Sequence, residues 1–375
     1  MYKAYKFRAY PDEKQKVLIH KTLGCYRFVY NYFLDKCKNN GYIKAFDMCQ
    51  ELKELTANYE WLKEVDSCSL RCAIFNLEDA YKNFFSKRSN YPKFKNKYNR
   101  QTYRTNCIKN TYKGKIYSNI NIDLDKKLIK LPKLGLIKIR EYRNYKEIKG
   151  NIINATIIKE TTEKYYVSVV VDTQDMNVEK VIPKSIVGID LGLKDLVVTS
   201  SGIKYENKKE LSKYEKRLKR LMRKLSRQIK GSNNYKKTKI KISKLYSKIK
   251  NSRKHNIINI VNDLVKEYDI IVSEKLNIKN MEKNHSLAKS IVDASMYKIC
   301  NLLSWKTKLK GKYYYQVDTY FPSSKMCSHC GEKTTKTNDL KVREWECENC
   351  GRINDRDINA SINIMFEGLK YYYVN

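Results

Sequence analysis

Residues 2–9 alternate cationic or polar side chains with Tyr5, Phe7 and Ala9, which predicts a short strand. Pro11-Asp12-Glu13-Lys14-Gln15 follows as a helix start, with Asp12 as N-cap and Gln15 three residues on. Helical spacing continues to about residue 88 and is clear in Cys68-to-Phe85, where Leu70, Ala73, Ile74, Leu77, Ala80 and Tyr81 share a face. From about 100 to 172 the period shortens to two, as in Leu128-Ile129-Lys130-Leu131, Ile137-Lys138-Ile139-Arg140 and Tyr165 to Val171. The first half therefore reads as a β-rich body with a helical block inserted after its first strand.

The second half alternates strands with helices, which predicts an α/β core. Ile186 to Gly192 and Asp195 to Thr199 form two hairpin-like strands with Gly192-Leu193-Lys194 at the bend. Long helices are expected over about 207–230 and 236–266, divided by Gly231-Ser232-Asn233-Asn234. A buried strand at 269–274, one helix from about 286 to 308, a strand at 313–318 and a last helix from Arg356 complete the pattern.

Composition narrows the class. With 13 Gly and 5 Pro in 375 residues, far below the roughly 12% these two average together, collagen-like and Pro-rich disordered readings are excluded. Hydrophobic residues at 42% supply material for cores, while the net charge of +37 calls for a polyanionic partner, nucleic acid first. No apolar run approaches the ~18 residues of a spanning helix, and the N-terminus lacks a signal-peptide core, so the expected location is the cytosol. Seven of the 11 cysteines are scattered, as expected of reduced thiols.

The other four are paired. Cys327-x2-Cys330 and Cys347-x2-Cys350 have the spacing of a tetrahedral zinc site, each pair followed by a glycine, Gly331 or Gly351. Four thiolates leave no open position, so the zinc is expected to be structural, and His329 is not needed as a ligand. Candidate acids are Asp190 and Glu274, each ending an apolar strand, and Asp357, where a helix begins. Three carboxylates converging at one sheet edge can hold two Mg²⁺ ions about 4 Å apart for phosphodiester cleavage. Glu282 and Asp293 are further carboxylates that pattern alone does not exclude.

Residues 207–254 carry 20 Lys or Arg against two Glu, with Leu211, Tyr214, Leu218, Leu221, Leu225 and Ile229 at helical spacing. This predicts an amphipathic helical hairpin whose cationic face is either simply solvated or lies along a nucleic-acid strand. Tyr91, Phe94, Tyr98 and Tyr103 interleave with Lys93, Lys95, Lys97, Arg100 and Arg104. There the rings either stack unpaired bases or belong to the core. Part of the Lys and Tyr richness is also what an AT-rich genome imposes.

Several segments, taken in order, resemble the TnpB (OrfB) family of transposon-encoded proteins. Gly188-Ile189-Asp190-Leu191-Gly192 and Ser273-Glu274-Lys275-Leu276 resemble its first two RuvC motifs. Phe321-Pro322-Ser323-Ser324-Lys325-Met326-Cys327-Ser328-His329-Cys330-Gly331 resembles its zinc ribbon, and Asp355-Arg356-Asp357-Ile358-Asn359-Ala360 its third RuvC motif. Lys3 to Arg8, Gly24 to Asn31, Tyr91-Pro92-Lys93-Phe94-Lys95 and Ile129 to Gly135 are similar to its N-terminal half.

The resemblance runs from residue 2 to about 366 and implies a fold. A β-barrel-like wedge domain (1–10 and 96–182) would hold an inserted helical recognition block (11–95). A RuvC/RNase H-like nuclease domain (183–320 and 353–375) would carry an inserted zinc ribbon (321–352). It also implies an RNA-guided endonuclease, related to type V CRISPR effectors, that takes a guide RNA from the transposon end. Such an enzyme cuts double-stranded DNA beside a short transposon-associated motif, with Asp190, Glu274 and Asp357 as catalytic acids on Mg²⁺ and Asp355 as the alternative third. A monomer is favoured. A nucleic-acid-binding protein without cleavage is the competing reading, and the retained acids count against it. A stand-alone transposase would need a separate nucleophile motif, and none is found.

Overall fold

The computed structural model describes residues 2–98, 100–112, 115–140, 148, 150–173, 178–281, 283–339 and 341–374, and Glu282 lies outside them. The chain divides into two compact units, residues 1–176 and 177–375.

The first unit opens with β1 (Tyr2–Tyr10) and α1 (Glu13–Asn40). Asp12 caps α1 in a full capping box: its carboxylate accepts from the Gln15 backbone N–H at 2.7 Å, and the Gln15 side chain accepts from the Asp12 N–H at 3.0 Å. Next come α2 (Ala45–Asn58) and α3 (Ser67–Phe85), the latter capped by the Asp66 side chain. The strands are β2 (Gln101–Asn106), β3 (Lys109–Tyr112), β4 (Lys115–Ser118), β5 (Asn121–Asp123), β6 (Leu128–Leu131), β7 (Gly135–Arg140), β8 (Asn151–Lys159) and β9 (Tyr165–Asp172). Their sheet order is β2-β8-β9-β1-β7-β6-β5, with β3 and β4 a separate hairpin. The described pairings leave two free sheet ends and do not close the ring that a barrel requires.

Strand alternation decides which face is covered. Tyr5, Phe7, Ala9, Val167, Val169 and Val171 point into one core with Val29 and Phe33 of α1 and Ile74 and Leu77 of α3. The rings of the aromatic segment after α3 differ in burial. Tyr103 is core, while Tyr91 packs edge-on against Tyr81 and Phe84. Lys95 lies over the Tyr26 and Tyr30 rings at 5.0 and 3.9 Å, and Asn31 brackets its backbone with two 2.8 Å hydrogen bonds.

The second unit has β10 (Ile186–Asp190), β11 (Asp195–Thr199), β12 (Lys204–Glu206), α4 (Glu210–Ser226), α5 (Asn233–Glu267) and β13 (Ile270–Glu274). After these come α6 (Ile278–Met281), α7 (His285–Ala294), α8 (Met296–Leu309), β14 (Tyr313–Val317), β15 (Glu344–Glu346), β16 (Ile353–Asp355) and α9 (Arg356–Val374). The main sheet runs β12-β11-β10-β13-β14, with β10, β13 and β14 parallel and the first two antiparallel. α5 and α8 pack on one face through Ile257, Val261, Leu264, Ile299 and Leu303. On the other face α9 comes so close that a Cβ at Gly188 would lie 2.0 Å from the Ser361 carbonyl oxygen.

Two helical expectations change as well. The helix expected over 286–308 breaks at Ser295, which takes φ 54°. Ile291, Ala294, Met296, Ile299 and Leu303 are all buried, and the two-residue step from 294 to 296 cannot lie on one face of a continuous helix. Ile229, expected on the apolar stripe of the hairpin, lies beyond the end of α4 and is 82% exposed. The rest of that stripe meets Ile242, Leu245 and Ile249 of α5.

Candidate functional site

Parallel register brings the first two acids together. Ile189 pairs with Ser273, so Asp190 and Glu274 end neighbouring strands at the same sheet edge. The close crossing of α9 over Gly188 brings its first turn, with Asp357, to that edge. All three carboxylates line one cleft of about 580 Å³, together with Leu193, Lys194, Leu287, Tyr320, Arg343 and Arg356. Burial, then repulsion from Asp357, pushes Asp190 up to about 6. Burial, then repulsion from Asp190, pushes Glu274 up to about 7. Anions crowded out of water in this way are the environment a divalent cation relieves, and hard carboxylate oxygens suit Mg²⁺. The donor set therefore fits such an ion.

Asp355 is engaged elsewhere. Its carboxylate takes the Lys204 ammonium at 2.6 Å and accepts the Asp357 and Ile358 backbone N–H groups at 3.0 Å as the cap of α9. Against partial burial, these partners hold it below the usual carboxylate range. Asp293 is likewise occupied: it pairs with Arg253 of α5 and accepts the Leu211 N–H of α4 at 3.0 Å, joining three helices at the base of the basic hairpin.

The four cysteines form a group that can hold a metal ion. Their sulfurs all lie within 4.8 Å of one another, with Cys327–Cys350 at 3.8 Å and Cys330–Cys347 at 3.6 Å. A tetrahedron with metal–sulfur bonds of about 2.3 Å has edges of about 3.8 Å, so the set fits zinc. Among the described residues, no other group of three or more such donors is this tight, and the three acids are not. Each knuckle is closed by a glycine with positive φ, Gly331 at 79° and Gly351 at 66°, whose N–H bonds back to Cys327 or Cys347. Backbone N–H donation from Glu332 draws Cys330 down to about 7, toward the thiolate a metal needs. His329 is turned to Arg352, its Nδ1 3.1 Å from the guanidinium.

The knuckles and the acids are tied by residues that spacing did not single out. Arg343, just before β15, holds both Asp357 oxygens at 3.2 Å. Buried Arg356 donates to the carbonyls of Asp339 and Val342 and so fixes the segment carrying Arg343. Asn359 and Asn363, buried on α9, donate to the Met326 and Ser323 carbonyls at the entry to the first knuckle. An Asn pair at i, i+4 on an otherwise apolar helix was a readable signal for such a clamp. Nothing local marked Arg343.

The basic hairpin presents Lys216, Lys219, Arg220, Arg223, Lys224 and Arg227 along a groove of about 760 Å³. Among the described residues, no helix is long and apolar enough to cross a membrane.

Comparison with known proteins places this architecture. Residues 166–285 match the OrfB family model described as “Probable transposase”, residues 297–364 one described as “Cas12f1-like, TNB domain”, and residues 1–42 one described as “Helix-turn-helix domain”. The “Putative RNA-guided DNA endonuclease” of Streptomyces pristinaespiralis is 32% identical, over 98% of this chain and 89% of its own. The “Putative RNA-guided DNA endonuclease InsQ” of Escherichia coli (strain K12) is 30% identical over 97% and 92%. In fold, the chain is similar to the mini-RNA-guided endonuclease CRISPR-Cas_phi3, with a TM-score of 0.51 at 10% identity, covering 97% of this chain and 92% of that one. By its identity to these full-length relatives, the chain belongs to the OrfB (TnpB) family.

Proposed function

We propose that the protein is an RNA-guided DNA endonuclease that hydrolyses phosphodiester bonds at one RuvC-like site. The observation that carries this reading is the meeting of Asp190, Glu274 and Asp357 in one cleft of a strongly cationic protein. The strand order, with three parallel and two antiparallel strands under α9, supports the RNase H-like reading. Asp190, Glu274 and Asp357 would hold magnesium, and when bound the ion supplies an activated water and stabilises the leaving oxygen. The chain's own part is placement. β10 and β13 fix two carboxylates by register, α9 fixes the third, and Asp355 keeps α9 capped while Lys204 takes its charge. The cysteine set would hold structural zinc and so anchor the segment that carries Arg343.

Guide RNA and double-stranded DNA are the proposed partners, with base pairing reading sequence while the protein reads shape. The basic hairpin groove offers phosphate contacts for that duplex. The test is a cleavage assay on protein co-expressed with RNA from its own transposon end. The target plasmids carry the guide-matched sequence beside randomised bases. Cleavage that requires Mg²⁺ and the RNA, with one enriched flank, is expected. Intact plasmid despite tight, RNA-dependent DNA binding would overturn the nuclease reading.

A further inference from the structure

Two cysteines outside the knuckles stand one helical turn apart at the start of α3. Cys68 and Cys72 are spaced i, i+4 and so share a face of the helix. Cys72 is fully buried, whereas Cys68 keeps 5% of its surface, in the turn that begins the helix. Asn106 of β2 bridges them. Its N–H donates to the Cys68 sulfur at 3.4 Å, and its side-chain oxygen accepts from the Cys72 thiol at 3.7 Å. The Arg104 guanidinium stands beside Cys72, and its buried Nε has no hydrogen-bond partner among the described residues. Hydrogen bonding with Cys72, against burial, draws Cys68 down to about 6, while the same bond and burial raise Cys72. One sulfur is therefore favoured as thiolate and the other as thiol, which is the division of roles between an attacking and a resolving cysteine.

We propose that Cys68 and Cys72 are an oxidisable pair that hydrogen peroxide closes to a disulfide. The Cys68 thiolate attacks one peroxide oxygen, the O–O bond breaks, and Cys68 sulfenic acid and hydroxide form. That hydroxide takes up the proton that Cys68 had released. The Cys72 sulfur then attacks the Cys68 sulfur: the S–S bond forms, the S–O bond breaks, and the departing hydroxide leaves with the Cys72 proton as water. Two thiols and one peroxide thus give one disulfide and two waters, the sulfurs losing two electrons and the peroxide oxygens gaining two.

The helix cannot close this bond and keep its first turn. Side chains at i, i+4 hold their Cβ atoms about 5–6 Å apart, but a disulfide needs about 3.5–4.5 Å. The start of α3 is the part that can give, because the Cys68 and Ser69 N–H groups have no acceptor within the helix. They are held by Asp66, whose carboxylate takes each at 3.2 Å and whose carbonyl takes Ser69 as well. The same carboxylate accepts the Thr105 hydroxyl of β2 at 2.6 Å, so the cap and its tie to the sheet loosen together. Ser67, Leu70 and Arg71 of that turn line a groove of about 380 Å³ against α2, and its shape then follows the state of the pair.

The test exposes the full chain, purified with zinc, to hydrogen peroxide. Free thiols are then alkylated in denaturant and the protein is digested with trypsin without reductant. Cleavage after Lys63, Arg71 and Lys82 separates the two cysteines, so the disulfide is read by mass spectrometry as peptide 64–71 joined to peptide 72–82. That joined species is expected, and reduction should remove it. In Cys72→Ser, Cys68 should instead be trapped by dimedone as the sulfenic acid, and in Cys68→Ser neither product should form. Hydrogen exchange at the Cys68 and Ser69 amides should rise about ten-fold or more on oxidation and return on reduction. Cys68 and Cys72 both still alkylated, at peroxide that has already oxidised the exposed Cys330 and Cys350, would overturn the proposal. A joined species with unchanged exchange at these two amides would overturn its coupling to the helix cap.

Discussion

The second unit holds two clusters of ionisable side chains, four cysteines and three acids, and they are built in opposite ways. The cysteine cluster is local: four sulfurs come from two tight turns 16 residues apart, and they already stand at the distances of a metal tetrahedron. The acidic cleft is assembled from residues 190, 274 and 357, and its carboxylates are not drawn to ligating distance. One of them is held by an arginine. A soft, closed, fourfold thiol site can be written into short loops because each knuckle needs only its own backbone. A hard-cation site of the kind proposed for the acids would have to stay open to substrate, and here the charges are carried by separate rigid elements and partly balanced from within.

That contrast can be broken most sharply at its acidic end. Asp190→Ala removes a carboxylate that the proposed cleavage at this cleft needs, and a loss of at least about 10³-fold in cleavage rate is expected. Guide RNA binding should persist, because the basic groove is untouched; cleavage at the unsubstituted rate would show that the acids are misassigned. Cys347→Ser tests whether the local site supports the assembled one. The expected outcome is lost zinc, faster proteolysis across 321–357 and a drop in cleavage of about 10–100-fold. Full activity after the metal is stripped by chelation would show that the clamp from Asn359, Asn363 and Arg356 suffices alone.

A smaller effect sharpens the comparison. Arg343→Gln takes one cation from Asp357, so Mn²⁺, followed by electron paramagnetic resonance, should bind the cleft several-fold more tightly. Equal or weaker binding would mean that the guanidinium orients the carboxylate for the ion and does not compete with it.

The first unit offers a third crowded charge. Lys95 is half-buried on two tyrosine rings, and desolvation pulls it down to about 8 from 10.5. The fold disfavours this cation, so the cost is fully present below pH 8 and fades as pH rises toward 10.5. Lys95→Met should therefore stabilise the protein at pH 7 by about 1–2 kcal/mol, after the ring contacts offset part of the gain. The difference in melting temperature should shrink by pH 10. A gap that widens with pH would contradict this assignment.

The sequence by itself determined the elements whose cause is local. The capping box at Asp12 and Gln15, the period-two strands and the basic hairpin follow from neighbouring residues, as do the paired knuckles with their glycines. It also brought Asp190 and Glu274 forward, because an acid closing an apolar strand is readable as a pattern. Only the tertiary structure decided which of two aspartates two residues apart faces the cleft. The cap of α9 and Lys204 claim Asp355, while the helix turn beyond it delivers Asp357. It alone broke the helix at Ser295, where burial of both Ala294 and Met296 outweighed helical continuity. Arg343 and Lys204 carry no local mark for the same reason. A charge gains its role from what stands opposite it in space, and that partner lies as many as 151 residues away in the chain.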